Sequence, residues 1–504
     1  MSVEFVKADV PWITITILLP LIAAVVLMFL KDRFAKPISI AISAVIFIIS
    51  SYMLLVYDPS SYKIQFYEKY EWIPWLGVSY EVGVDALSLT LYWLTALSFL
   101  VAFIWSTNIN KRIKEYFIAF LVLEAGSLGV FVAWDLVFFY IFWEAILIPM
   151  FLIIGVWGYA ERIYAATKFF IYTFFGSLFL LIGVIGLYVA SYFQTGELST
   201  SYFSLINTQL PFTLELIFFL LLALGFAIKV PMWPFHTWLP DAHVQAPTAG
   251  SVILAAVLLK MGTYGFVRFS LPWFPEASKY FVPVMFTLGV IAIIYTAMMA
   301  IAQTHIKRLI AYSSVSHMGF VTIGTFALND FGVNGAIITM ISHGLTSAAL
   351  FLAAGFIYER THTYEMGKLG GMARFVPIFA VLFMISAMAS VGLPGLSGFV
   401  GEFLSLLGTF QVSILTATLA GLSLILGAAY TLWLYRKTMF EEELLDEERL
   451  HKWKQLKDVS TSEFLSFLPL VIFMFVIGIY PSWWVNLIQK TTEAILFKIR
   501  LLGG

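Results

Sequence analysis

The sequence predicts an all-α polytopic membrane protein of about fourteen transmembrane helices, and three observations predict it. Of the 504 residues, 61% are hydrophobic and only 12% charged, with a mean hydropathy of +0.92. A soluble enzyme with one anchor does not reach that balance. Apolar windows long enough to cross roughly 30 Å of hydrocarbon recur along the whole chain. The basic residues fall unevenly between alternate loops, as the positive-inside rule requires of a spanning protein.

Taken in order, the apolar windows fall at 11–30, 37–57, 87–107, 115–133, 136–157, 165–192, 213–230, 248–270, 281–302, 309–328, 332–357, 375–411, 413–435 and 464–488. With the N-terminus outside, nineteen of the 29 basic residues lie on inside loops and helix ends and eight on outside segments, leaving only Lys229 and Lys260. Both termini and the 58–75 loop are therefore expected outside. Trp72, Trp75, Trp273, Trp483 and Trp484 stand where an interfacial aromatic belt belongs. The N-terminus lacks the basic start and small-residue cleavage site of a signal peptide, so the first helix is expected to stay in the mature protein.

Composition also excludes whole classes of chemistry. There are no cysteines, hence no thiolate-held iron–sulfur cluster, CxxC redox pair or disulfide in this chain. No Walker loop and no strand-borne G-x-G-x-x-G is present. The formal net charge of −1 does not point to nucleic acid.

The chain is organised around Gly225–Arg268. An apolar run reaches Lys229, stops at Val230-Pro231, and meets Pro234 and Pro240 before a second apolar helix that carries Lys260 near its middle. Proline removes a helix hydrogen bond, and in lipid the freed groups are tolerated only inside protein or beside a water-filled cavity. The twelfth window is also interrupted, at SVGLPGLSGFVGEF, where Gly392, Gly395, Gly398 and Gly401 unwind the helix and let neighbours pack closely. Windows seven and twelve are thus both broken and lie five apart. An odd offset makes a repeat of helices 4–8 in helices 9–13 inverted in the membrane, and paired interrupted spans point to a transport site at the repeat interface. The expected organisation is 1–110 for the first three helices, 111–272 and 273–436 for the two repeats, 437–463 for a charged cytoplasmic segment, and 464–504 for the last helix.

Seven ionisable residues fall at membrane depth: Glu124, Glu144, Lys229, Lys260, His317, His343 and Glu402. A charge at the bilayer centre costs about 2.5–3.5 kcal/mol on the lenient scale, so each should face the interior and find a partner. Glu144, in FFYIFWEAILIPM, is expected to pair with Lys229, and separating that pair would let the lysine release its proton. His317 in YSSVSHMGF and His343 in MISHGLTSAAL have hydroxyl neighbours and suit a proton relay. Glu402 follows the second break, where it serves either as terminal proton acceptor or as a cap on the new helix. Glu124 has the weakest claim and serves only to neutralise a neighbouring helix. His236 and His243 flank the first break at a spacing of seven, a poor metal signature, and are read as structural.

KVPMWPFHTWLPDAHVQAPTAGSVILAAVLLKMGTYGFVRF, with SSVSHMGF, ISHGLTSAALF, FWEAILIPM and GVDALSL, resembles the M-chain family of antiporter-like subunits in bacterial respiratory complex I, NADH:quinone oxidoreductase. The resemblance runs from about Gly83 to Trp433. It implies the fourteen-helix fold with inverted repeats and a pumping role for Glu144, Lys229, Lys260, His317, His343 and Glu402. It further implies a bacterial inner-membrane location among other membrane-arm subunits, sister antiporter-like chains included. NADH, FMN, Fe–S clusters and quinone would belong to partner subunits, with no cofactor, metal or nucleic acid in this chain. The same fold serves multi-subunit Na⁺/H⁺ antiporters, membrane-bound hydrogenases and plastoquinone-reducing complexes, and a purely structural spacer is the rival from another class.

Overall fold

The computed structural model describes residues 4–106, 109–441 and 447–502. Residues 107–108, residues 442–446 of the charged segment expected in the cytoplasm, and the outermost residues of both termini lie outside the described residues.

The first helices are α1 (Trp12–Phe29), α2 (Ala35–Val56), α3 (Ala86–Trp105) and α4 (Ile113–Val132). A pair follows, α5 (Leu136–Ala145) and α6 (Leu147–Trp157), with the break at Ile146, two residues after Glu144. Next come α7 (Arg162–Thr195), α8 (Phe212–Lys229), the short α9 (Trp238–Gln245) and α10 (Thr248–Trp273). The second half holds α11 (Pro275–Ile301), α12 (Ile306–Phe326), α13 (Asp330–Thr361), α14 (Pro377–Val391), α15 (Ser397–Val412) and α16 (Ile414–Met439). The chain closes with α17 (Glu447–Trp453), α18 (Thr461–Ile479) and α19 (Pro481–Leu501).

Every expected window contains helix. Among the described residues, twelve helices are long and apolar enough to cross a membrane. The polar α12 and the interrupted α14–α15 are outside that twelve, which leaves the expected total of fourteen as a topological reading. The last window needs correction. Its helix ends at Ile479, Pro481 begins a new one, and 481–488 belongs to α19.

A small sheet covers one face of the bundle. Strands β2 (Ile64–Ile73) and β3 (Val78–Val84) pair antiparallel, with Lys69 opposite Glu81 and Tyr70 opposite Tyr80. Strand β1 (Phe5–Lys7) adds to β2 in parallel. The reading of 58–75 as a plain loop missed this sheet, although IQFYEKYEWI is rich in the aromatic and branched residues that favour strands. We call this side the sheet face.

The core is set by which helices touch lipid. In α1, α2 and α7 only about a third to two fifths of the apolar window is buried, and Ile22, Ile48 and Ile182 point outward. The windows of α10 and α13 are wholly buried, as expected of helices apolar all round. These two central helices carry Lys260 and His343. Close approach around them depends on small residues: a Cβ on Gly335 of α13 would lie 2.3 Å from the Ser405 amide of α15.

Candidate functional site

The first break lies between α8 and α9. The Met232 amide bonds the Ala227 carbonyl at 2.7 Å, and the Trp238 indole reaches back to the Ile228 carbonyl at 2.9 Å, so the interrupted turn keeps its partners. Lys229, the last residue of α8, is 2% exposed. Its Nζ has no hydrogen-bond partner and stands 5.2 Å from the Trp143 ring centroid. Glu144 follows Trp143, yet its Oε1 is also buried and unpartnered. Glu144 acts on Lys229 electrostatically, but no hydrogen bond closes the expected pair.

Lys260 is fully buried on α10. Just before it, Leu254–Leu258 widens into a π-helical turn, a feature common at functional sites. Lys260 Nζ lies 2.6 Å from the Ala255 carbonyl oxygen and 2.6 Å from His343 Nδ1 on α13. The His343 and His317 ring centroids are 5.5 Å apart. His317 Nδ1 lies 2.5 Å from Glu402 Oε1, and its Nε2 is 3.3 Å from Ser390 Oγ. Lys260, His343, His317 and Glu402 thus form one line across α10, α13, α12 and α15.

A cavity of about 10 Å³ opens between these groups, lined by Thr339, Ser342, Thr346 and Ser390 together with His317, His343 and Glu402. It has room for about one water-sized sphere and polar partners on several sides. Its wall is the second break: Gly392 and Gly395 adopt φ of +85° and +92°, and a Cβ on Gly398 would fall 2.0 Å from the Ala389 carbonyl oxygen. Glu402 is the sixth residue of α15 and turns to His317, so the capping alternative does not hold.

Sequence reasoning missed two groups at the opposite end of the line. Lys307, counted as a loop cation, is fully buried. Its Nζ donates to the Ala246 carbonyl at 2.6 Å and to Ser251 Oγ at 3.2 Å. His243, read as structural, is fully buried, stacks on Phe351 at 4.3 Å, and has neither ring nitrogen partnered. Both Lys307 and Lys260 act on it electrostatically. The signal available was the histidine itself, beside the first break. Arg268, counted as an outside cation, is likewise buried and chelates Asp85 through Nη2 at 2.6 and 2.7 Å. Among the described residues no group of three or more His, Asp or Glu side chains could hold a metal ion.

Comparison with known proteins gives a consistent result. Residues 133–427 match a family profile described as NADH:quinone oxidoreductase/Mrp antiporter, transmembrane. The chain is 48% identical over 499 residues to NADH-quinone oxidoreductase subunit M of Rhodobacter capsulatus, covering 96% of each protein. It is 44% identical to the subunit of the same name in Rickettsia typhi, covering 97% of this chain and 99% of that one. Among solved structures it is similar to a chain of respiratory complex I from Thermus thermophilus with bound NADH. There the TM-score is 0.87 at 31% identity, with 98% and 100% of the two chains covered. A chain of the Mrp complex from Dietzia sp. shares the fold alone, with a TM-score of 0.81 at 20% identity, over 97% of this chain and 55% of that one.

Proposed function

The chain belongs to the NADH:quinone oxidoreductase/Mrp antiporter family of membrane proteins, and we propose that its task there is to carry protons along the Lys260–His343–His317–Glu402 line. It is a multi-pass, proton-translocating membrane-arm subunit of the NADH-quinone oxidoreductase type, and its partners are the other membrane-arm subunits. The bacterial inner membrane fits its bacterial relatives. NADH, FMN, Fe–S clusters and quinone belong to partner subunits in this reading, and this chain makes no bond in the redox reaction.

The observation that carries the proposal is the run of close contacts on buried helices, interrupted only by a cavity of about one water's size between His343 and His317. An amine at Lys260 can give a proton to His343 Nδ1 over 2.6 Å. His343 passes one on through its other nitrogen, across the small polar cavity, to His317. His317 hands a proton to Glu402 over 2.5 Å. Imidazole suits both middle steps because it can accept at one nitrogen and donate from the other. The open Glu144–Lys229 contact is the switch at the start: closing it holds the Lys229 proton, opening it releases the proton toward Lys260. Driving energy comes from quinone reduction elsewhere in the complex.

The two halves support an inverted repeat. Residues 111–272 and 273–436 each contain a helix opened over several residues at prolines or glycines, at 230–237 and 392–396, with a titratable group near each opening, Lys229 or Glu402. The uneven basic residues support an outside sheet face and an inside position for α17. The test is NADH-driven proton uptake by inverted membrane vesicles. A His343→Ala complex that assembles, oxidises NADH and pumps like the parent would remove the line from the function.

A further inference from the structure

Glu124 sits near the middle of α4 and takes no part in the line just described. It is 0% exposed. Its Oε1 accepts a hydrogen bond from Ser43 Oγ of α2 at 2.8 Å, while its Oε2 is buried with no partner. The hydroxyls of Ser39, one turn before Ser43, and of Ser127, three residues after Glu124, are buried and unpartnered too. A staple between α2 and α4 needs only the Ser43 contact. It does not account for a second carboxyl oxygen and two further hydroxyls left without partners, which buried polar atoms rarely are.

From the sheet face a series of hydroxyls leads toward this carboxyl. Glu68 of β2, 6% exposed, accepts from the Ile13 amide at 3.0 Å and from the Thr14 hydroxyl. Burial raises its pKa above the usual carboxylate range. Thr14 Oγ1 lies 2.9 Å from Tyr80 Oη. Two residues further along α1, the Thr16 hydroxyl bonds the Tyr92 phenol on α3. Tyr92 is fully buried, and the charges of Tyr80, Glu68 and Glu124 all act on it. On the other side of α4, a Cβ on Gly126 would lie 3.0 Å from Ile146 Cγ2 and 3.7 Å from Ala145 Cβ. The turn after Glu124 therefore packs on the turn after Glu144.

We propose that Glu124 is a second proton-binding site, which exchanges protons with the sheet face through Tyr92, Thr16, Thr14, Tyr80 and Glu68. Each hydroxyl along the way accepts one proton on its oxygen and passes its own forward. Only O–H bonds form and break, and no oxidant or reductant enters. The inference rests on the reading of the chain as a proton carrier.

The test uses the intact complex. Glu124→Gln keeps the shape and the oxygen that Ser43 bonds but cannot take up a proton. Tyr92→Phe interrupts the series without touching the carboxyl. Glu402→Gln serves as the reference for the main line. Proton uptake per NADH oxidised is read in inverted vesicles, and the carbonyl stretch of protonated carboxyl groups in infrared difference spectra of the oxidised and reduced complex. The expected result is loss of one such band and lower uptake in Glu124→Gln, and a band that survives in Tyr92→Phe but exchanges more slowly in heavy water. Unchanged spectra and full uptake in Glu124→Gln, with uptake lost in Glu402→Gln, would overturn this site and leave the main line standing. Full uptake in both would overturn this site and take Glu402 out of the main line as well, while full uptake in His343→Ala would overturn the proton-carrier reading itself. Should Glu124→Gln fail to assemble, the exchange rate decides: a Tyr92→Phe band that exchanges as fast as the parent's overturns the inference.

Discussion

Lys260 Nζ lies between two acceptors, the Ala255 carbonyl and His343 Nδ1, each 2.6 Å away. Neither acceptor is a carboxylate, so the lysine is held by dipoles rather than by a counter-charge. An ammonium here donates to an unprotonated Nδ1, which puts the imidazole's own proton on Nε2.

That geometry predicts how substitutions at Lys260 behave. Lys260→Met removes the proton, and Lys260→Arg keeps a charge that cannot be given up, because the guanidinium stays protonated in proteins. Both variants should therefore fail, with uptake in inverted vesicles down by roughly 10²-fold, the low end for loss of a positioned acid–base group. Normal uptake in Lys260→Arg would reduce the lysine to a fixed charge.

Lys229 predicts an opposite pairing of stability and activity. Its amine is buried without a hydrogen bond, apart from the Trp143 face at 5.2 Å, and burying an unpartnered polar group opposes folding. Lys229→Met should leave the thermal midpoint of the detergent-solubilised complex unchanged or higher while abolishing uptake. A closed buried pair would behave otherwise, losing about 3–5 kcal/mol when one partner is removed. A clear drop in midpoint in Lys229→Met, or normal pumping by the Glu144→Gln/Lys229→Met double variant, would make the pair a staple.

The residues that were legible in the sequence were those at odds with a lipid environment. Lys260 and Glu402 stood out because a charge inside an apolar window demands a reason, and the two breaks because proline and glycine are costly within a span. What could not be read was geometry across helices. Nothing in the sequence shows that His343 turns to Lys260 while His317 turns to Glu402, or that Lys229 stops short of Glu144. Arg268 and Lys307 were misassigned for a related reason. A cation near the end of an apolar window looks like a headgroup anchor, and only tertiary packing shows it buried against Asp85 or the Ala246 carbonyl. The sheet was missed because its strands alternate weakly and sit between two strong apolar windows.

The topology can be checked directly, since the chain contains no cysteine. Lys452 on α17 has a side chain 62% exposed, and Ser60 is exposed on the sheet face. An impermeant thiol reagent should label Ser60→Cys in right-side-out cells and Lys452→Cys only in inverted vesicles. Labelling of Lys452→Cys in intact cells would reverse the orientation taken from the basic residues.

Glu402 closes the line, and its contacts make the sharpest test. It is the only acidic residue within expected spans nine to thirteen, so no carboxylate there can replace it. Its side chain is 8% exposed and bonds His317 Nδ1 at 2.5 Å, beside a cavity with room for about one water. Glu402→Asp keeps the acid but draws it back by one methylene, so a water must bridge the gap and partial pumping should survive. Glu402→Gln keeps the shape and can still bond the imidazole, but it cannot take the proton. That variant should assemble normally and lose most uptake. Glu402→Lys should recover part of it, because an amine beside an imidazole nitrogen is an arrangement this chain already uses at Lys260 and His343. The measurement is uptake per NADH oxidised, compared across the three variants in one preparation. Full pumping in Glu402→Gln would leave the residue a hydrogen-bonding partner of His317, with the proton leaving the line one step earlier.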